Sequence, residues 1–215
     1  METGMIYVVK HKEYKWPLVD GYKVLEVGPL FKDYDTDNIN DLNPYINELT
    51  GLYWIWKNTS DDYVGLCHYR RYFAEGDKLL TFSRAKKILK GHQIITTTPT
   101  VFDRSLYDIL VIDSGGQEGF EKYRDMFFKA VPGFEDYLKN NNRVNPRNMF
   151  FCRKDLIDKY CEWMFPIVIP IARKYKAETV PKNNNQDRLI GYFAERLMSY
   201  WLLHLDFVEM DYKTI

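Results

Sequence analysis

The chain has 215 residues and a mass of 25.7 kDa, which is ample for a sizeable core and corresponds by length to one domain over residues 1–215. Hydrophobic residues make up 46% and charged residues 28%, so disordered, collagen-like and fibrous classes are excluded. Lys plus Arg and Asp plus Glu each number 30, and this balance argues against bulk electrostatic capture of nucleic acid.

The segment Met5 to Lys10 is a β-branched and aromatic run and reads as a buried first strand, with Lys23 to Gly28 as the second. A loop rich in Asp and Asn covers Pro29 to Asp41. Tyr45, Leu49, Leu52, Tyr53 and Trp56 recur at helical spacing and predict a helix over Pro44 to Lys57, with Asn43 as its cap. Tyr63 to Cys67 is a short strand that runs into the polar cluster His68-Tyr69-Arg70-Arg71-Tyr72. Ser83 to Lys90 reads as a Ser-capped helix, and Gln93 to Thr98 as a strand. Asp103 to Asp113 fits helix or strand. Glu118 to Lys139 is helical with a break at Pro132-Gly133. Asn148 to Arg153 is a strand, and Lys154 to Tyr175 a long apolar helix with Pro166 and Pro170 as bends. A polar loop, Thr179 to Asn185, precedes a helix over Gln186 to Leu203 and a last strand, Asp206 to Met210. Strands and helices alternate, which predicts a three-layer α/β domain with a mostly parallel central sheet flanked by helices.

Cys67, Cys152 and Cys161 lack metal-type spacing, and so sparse a set points to a reducing compartment. No run reaches the ~18 apolar residues of a membrane span, and the amino terminus lacks a signal-peptide pattern. The expectation is a soluble cytoplasmic protein. Aromatic residues reach 16%, and they serve either as core or as stacking platforms for sugars and nucleobases.

The segment Glu48 to Phe73 is the most informative. A helix leads into a buried strand, which delivers His68, Tyr69, Arg70 and Arg71 at its carboxyl end, where α/β sheets bind ligands. Two guanidiniums and an imidazole suit a diphosphate, since Arg donates in a planar fork to phosphate oxygens. The alternative is a surface Arg pair bonded to carboxylates or helix-end carbonyls. Acidic pairs occur at Asp35 and Asp37, Asp61 and Asp62, and Glu209 and Asp211, a weak metal signal because paired acids also form turns.

The strings ELTGLYWIWKN, VGLCHYRRYF, NMFFCRKDLIDKYCEWMF and GYFAERL, with Asp37-Asn38-Ile39 ahead of the first, resemble a bacterial domain family of capsular and exopolysaccharide gene clusters. The resemblance runs from about Met5 to about His204. That family lies near the GT-A fold, and some members are associated with galactofuranosyl or galactosyl transfer. One departure stands out: the stretch from Thr98 to Gly116, where the family carries His, has none here.

The resemblance implies a single-domain GT-A-like glycosyltransferase. Its donor would be a nucleotide sugar, UDP-linked, and its acceptor a saccharide or lipid-linked saccharide at the inner face of the membrane, reached by peripheral contact or through a partner enzyme. No nucleic-acid partner is expected. GT-A enzymes often hold Mn²⁺ or Mg²⁺ on an Asp-x-Asp at this strand end. Here His68-Tyr69-Arg70 stands there, so the divalent ion is left open and arginines are the alternative for the leaving diphosphate.

Lys10 and His11 then become candidates for nucleotide contacts, and Asp37 and Asn38 for ribose or sugar hydroxyls. Glu48, Thr50 and Lys57 sit on the helix feeding the site, and Asn148 would offer its amide to the sugar. On the last helix Asp187, Gly191 and Glu195 share a stripe, with Arg188 and Arg196 beside them. Glu195 is the first candidate base and Asp187 the second; salt bridges to neighbouring arginines are the other reading. The rival functions are an inactive nucleotide-sugar-binding module and a nucleic-acid or nucleotide-processing enzyme.

Overall fold

Side chains of the central strands alternate between two apolar faces, and that alternation sets the layering. The computed structural model describes residues 2–15, 17, 19–115, 120–180 and 185–215. In chain order the elements are β1 (Gly4–Lys10), β2 (Tyr22–Glu26), α1 (Asn43–Ile46), α2 (Leu49–Asn58), β3 (Tyr63–His68), β4 (Arg71–Glu75) and β5 (Lys78–Leu79). Then come α3 (Phe82–Ile88), β6 (Ile94–Thr97), β7 (Thr100–Val101), α4 (Leu106–Ser114), α5 (Phe120–Ala130) and α6 (Phe134–Asn140). The chain ends with β8 (Arg143–Val144), β9 (Phe150–Arg153), α7 (Lys154–Glu178), α8 (Leu189–Leu202), β10 (Phe207–Met210) and β11 (Tyr212–Thr214).

The main sheet has the order β10-β6-β9-β3-β1-β2. β1 is parallel to β2 and β3, and β10 is parallel to β6. Along this order only β9 opposes its neighbours, β3 and β6, and off it β4 runs antiparallel to β3, β5 and β11. The sheet is therefore mostly parallel, as expected, and β1, β2, β3, β6 and β10 all end at one edge. Tyr7 and Val9 of β1, with Phe150 of β9, face a large cluster built from α1, α2 and α4 to α8. Ile6, Val8 and Phe151 face a thinner layer carried by α3 and the β4–β5 hairpin. Burying one such aromatic or aliphatic side chain stabilises the fold by roughly 1.5–3 kcal/mol, so each strand contributes to both faces.

The 25-residue α7 runs through Pro166 and Pro170. Both prolines are exposed, whereas Tyr160, Met164, Val168 and Tyr175 are buried. The carbonyls that lose their helical partners thus face water, which limits the cost of about 3 kcal/mol that an interior proline would carry.

The structure corrects several local expectations. The helix expected over Pro44 to Lys57 is two helices, broken at Asn47, whose φ is +51°. Asn43 lies inside α1 rather than capping it, and its amide donates to the Asn47 carbonyl and the Thr50 hydroxyl. Thr81, not Ser83, caps α3. Asp103 to Asp113 resolves as α4, capped by the Ser105 hydroxyl. The last helix begins at Leu189, after a 3₁₀ turn over Asn185–Arg188. The sequence expectation lacks β4, β5, β7, β8 and β11, and the cluster His68 to Tyr72 is a tight turn in which His68 pairs with Arg71. The expected helix start at Glu118 and most of the loop before Asn185 lie outside the described residues.

Candidate functional site

A cleft of about 450 Å³ opens at the carboxyl ends of β1 and β3, between the α1–α2 break and the first turns of α8. His11, His68, Tyr69, Arg70, Arg71, Glu48, Arg188, Gly191 and Glu195 line it. These expected residues come from four separate parts of the chain. Lys12, Asn43, Asn47, Arg147 and Tyr192 also line the cleft and were not singled out from the sequence. Arg147 sits one residue before the expected Asn148, and an arginine beside a strand start was the available signal.

The floor is the turn Arg147-Asn148. Both residues hold positive φ, +72° and +50°. With Asn47 they are the three non-glycine residues of positive φ among the described residues, and all three lie at this cleft. Such a conformation costs on the order of 1–3 kcal/mol per residue and persists only where the surroundings enforce it. Here the turn engages three side chains of the cleft. The Arg147 amide N–H donates to Glu195 Oε1. His68 Nε2 donates to the Arg147 carbonyl at 2.8 Å. The Asn148 amide Nδ2 donates to Glu48 Oε1 at 2.7 Å.

The break at Asn47 has a matching cause on α8. A Cβ at Gly191 would lie 2.9 Å from Asn47 Nδ2 and 3.3 Å from the Tyr45 carbonyl. The glycine therefore lets α8 approach α1 closely, as its place inside a helix suggested, and the neighbours are the Asn47 amide and the Tyr45–Ile46 backbone. Glu48 follows the break directly, so its carboxylate enters the cleft rather than continuing the helical stripe.

Electrostatically the cleft is cationic around two carboxylates. Lys12, Arg70, Arg71, Arg147 and Arg188 face Glu48 and Glu195. Burial, with Arg147 and Arg70 alongside, pulls the Arg71 guanidinium below its ordinary value. Burial pushes the Glu48 carboxyl up against the Asn148 hydrogen bond. Burial likewise pushes Glu195 up, and the neighbouring Glu48 charge adds to it against the pull of Arg196 and Arg147. His68 is pulled down to about 4 by burial, which outweighs its bond to the Arg147 carbonyl. A carbonyl can only accept, so the neutral ring carries its proton on Nε2 and leaves Nδ1 as an acceptor. His11 is also lowered, first by burial and then by Arg188 and Lys12.

Other expected residues lie elsewhere. Lys10 is buried and paired with Glu13 and Glu26. Asp37 accepts from the Tyr53 hydroxyl, and the Asn38 amide serves its own loop. The Thr50 hydroxyl donates to the Asn47 carbonyl and so supports the helix break. Lys57 lies 3.4 Å over the Trp56 ring. Arg196 is buried against Asp113 at 2.6 Å; its Nη1 donates to the Tyr192 carbonyl at 3.0 Å and lies 3.5 Å from Glu195 Oε2. Asp187 is buried in the 3₁₀ turn before α8, so it does not share the Gly191–Glu195 stripe, and it does not line the cleft. The three cysteines are buried free thiols, with Cys67 pushed up to about 12 by burial.

Among the described residues, no group of three or more His, Cys, Asp or Glu side chains converges as a metal site requires. No helix among the described residues is long and apolar enough to cross a membrane.

The profile of the domain of unknown function DUF4422 matches residues 5–206. No curated protein matches the sequence. Among solved structures, the apo structure of the bifunctional glycosyltransferase WbbM matches with a TM-score of 0.79 at 23% identity. The match covers 100% of this chain and 45% of that one, so this chain spans less than half of its length. At that identity the likeness is one of fold.

Proposed function

This chain belongs to the DUF4422 domain family, and we propose that it is a glycosyltransferase whose cleft moves a hexosyl group from a nucleotide sugar to a saccharide hydroxyl. The donor is UDP-linked, with galactofuranose or galactose as the sugar, and the acceptor is a saccharide, free or lipid-linked. The whole chain acts as one catalytic domain, in capsular or exopolysaccharide assembly at the cytoplasmic face of the membrane. These finer terms rest on the sequence resemblance, and the fold of WbbM supports the reaction class.

The observation that carries the reading is the pairing of guanidiniums and recessed carboxylates in one cleft at the strand ends. A glycosyl transfer needs both. The acceptor oxygen attacks the anomeric carbon, the bond from that carbon to the donor phosphate breaks, and its electron pair leaves with the diphosphate. Arg70, Arg71, Arg147 and Arg188 stabilise that developing charge through preorganised donors. The acceptor proton passes to Glu195, whose raised affinity for protons moves it toward the operating pH, as a general base requires. Oε1 of Glu195 accepts from the Arg147 N–H, and Oε2, 3.5 Å from Arg196 Nη1, takes the proton. Glu48, fixed by Asn148, orients a donor-sugar hydroxyl. A single displacement of this kind inverts the anomeric centre.

Calorimetric titration with UDP, UDP-galactose and UDP-galactofuranose, with Mn²⁺ or with chelator, tests the donor site. Binding that survives chelator and weakens at least about tenfold in Arg71→Ala, or ~1.4 kcal/mol, is expected. Binding that needs Mn²⁺, or that Arg71→Ala leaves intact, refutes the arginine site. Binding without turnover toward any acceptor supports the inactive module instead.

A further inference from the structure

A second cavity, of about 510 Å³, lies on the same edge of the sheet as the cleft, past the ends of β6 and β10. Thr98, Pro99, Thr100, Gly76, Asp211 and Tyr212 form most of its lining. The two cavities share a wall. The Arg147 guanidinium, which lines the cleft, donates to the Tyr212 hydroxyl and lies 4.7 Å from the centre of that ring. Arg71 of the cleft is likewise paired with Thr214 in the β4–β11 ladder. The backbone at Arg147 also holds Glu195, so a chain lying in the second cavity would meet the cleft at the proposed base.

The chemistry of the two cavities differs sharply. The cleft is crowded with cations, whereas the second cavity has one, Lys213, already paired with Asp77 at 2.6 Å. Its Asp211 accepts from the Thr98 hydroxyl at 2.6 Å and has a second carboxylate oxygen. Thr98, Thr100 and Asp211 are exposed, and the wall beside them is a half-buried tyrosine. Hydroxyls, a carboxylate and an aromatic ring suit a neutral, hydroxyl-rich chain and offer nothing to a diphosphate.

We infer that the groove between the β4–β5 hairpin and the Thr98–Thr100 segment binds the acceptor saccharide and leads its reacting hydroxyl past Arg147 to Glu195. The inference rests on the glycosyltransferase reading of the cleft. Its test separates the two. Wild type and Thr100→Arg are titrated with UDP, and both are applied with saturating UDP to an array of short linear galactans, glucans and mannans. The expected result is wild-type binding to at least one saccharide class, at least about tenfold weaker in Thr100→Arg, with UDP affinity unchanged. Thr100 is exposed on a short edge strand, and the retained UDP affinity reports that the variant is folded. Equal saccharide binding by both proteins, or UDP binding with no saccharide bound by wild type, overturns the groove and leaves the donor site standing. Failure of wild type to bind UDP overturns the reading of the cleft itself, and the groove falls with it.

Discussion

Asn148 offers a test in which the hydrogen bond and the backbone strain at the cleft floor separate. The residue is 1% exposed, sits at φ +50°, and donates to the Glu48 carboxylate at 2.7 Å. Replacing it with Ala removes a bond to a charged group, worth about 1.5–3 kcal/mol. It also leaves a Cβ in the left-handed region without the local polar contacts that ease Asn there, at roughly 1–2 kcal/mol. Replacing it with Gly removes the same bond but relieves the strain. Asn148→Ala is therefore expected to lose about 2.5–5 kcal/mol and Asn148→Gly about 1–2 kcal/mol less. For a chain of this size the two variants should melt roughly 2–8 °C apart. Urea unfolding of both variants, read by tryptophan fluorescence, measures the difference. Equal stabilities for Ala and Gly would refute the claim that the turn is strained. Wild-type stability in Asn148→Gly would refute the claim that the bond to Glu48 matters.

His68 is held neutral in the folded state at about 4, below its ordinary 6.5. The unfolded chain therefore binds the extra proton first, and stability is lost as pH falls from 6.5 toward 4, by roughly 3 kcal/mol in all. His68→Gln should flatten that part of the pH–stability curve in a denaturant series; an unchanged slope would contradict the burial account. The raised carboxyls of Glu48 and Glu195 act in the opposite sense, favouring the folded state as pH falls toward their ordinary range. Glu195→Gln is expected to cut turnover about 10²–10⁴-fold with UDP affinity retained, and near-normal kcat would remove Glu195 as the base. Gly191→Ala drives a Cβ into Asn47 and the Tyr45 carbonyl, so a loss of about 1–3 kcal/mol and weaker UDP binding are expected; thermal melting with and without UDP reads both.

The six strands of the central order, the carboxyl-end placement of His68-Tyr69-Arg70-Arg71 and their mostly parallel arrangement were legible in the sequence, because they depend on local periodicity and on where apolar runs stop; the short strands β4, β5, β7, β8 and β11 were not. The same holds for Glu195 and Gly191, which stand out as an acid and a glycine inside an apolar helix. What stayed hidden depends on contacts between distant residues. Nothing local marks Arg147 and Asn148 as left-handed, since the conformation is held by partners at His68, Glu195 and Glu48, up to 100 residues away. The break at Asn47 is likewise invisible in a sequence whose apolar spacing continues through it; in the fold the broken segment packs against α8 at Gly191. The 3₁₀ turn before α8 removes Asp187 from the stripe that ideal helical spacing assigns to it. Periodicity reports which face of an element is buried. Only the tertiary structure decides which carboxylates share a cleft with the arginines, because their alignment requires four chain segments to meet at one edge of the sheet.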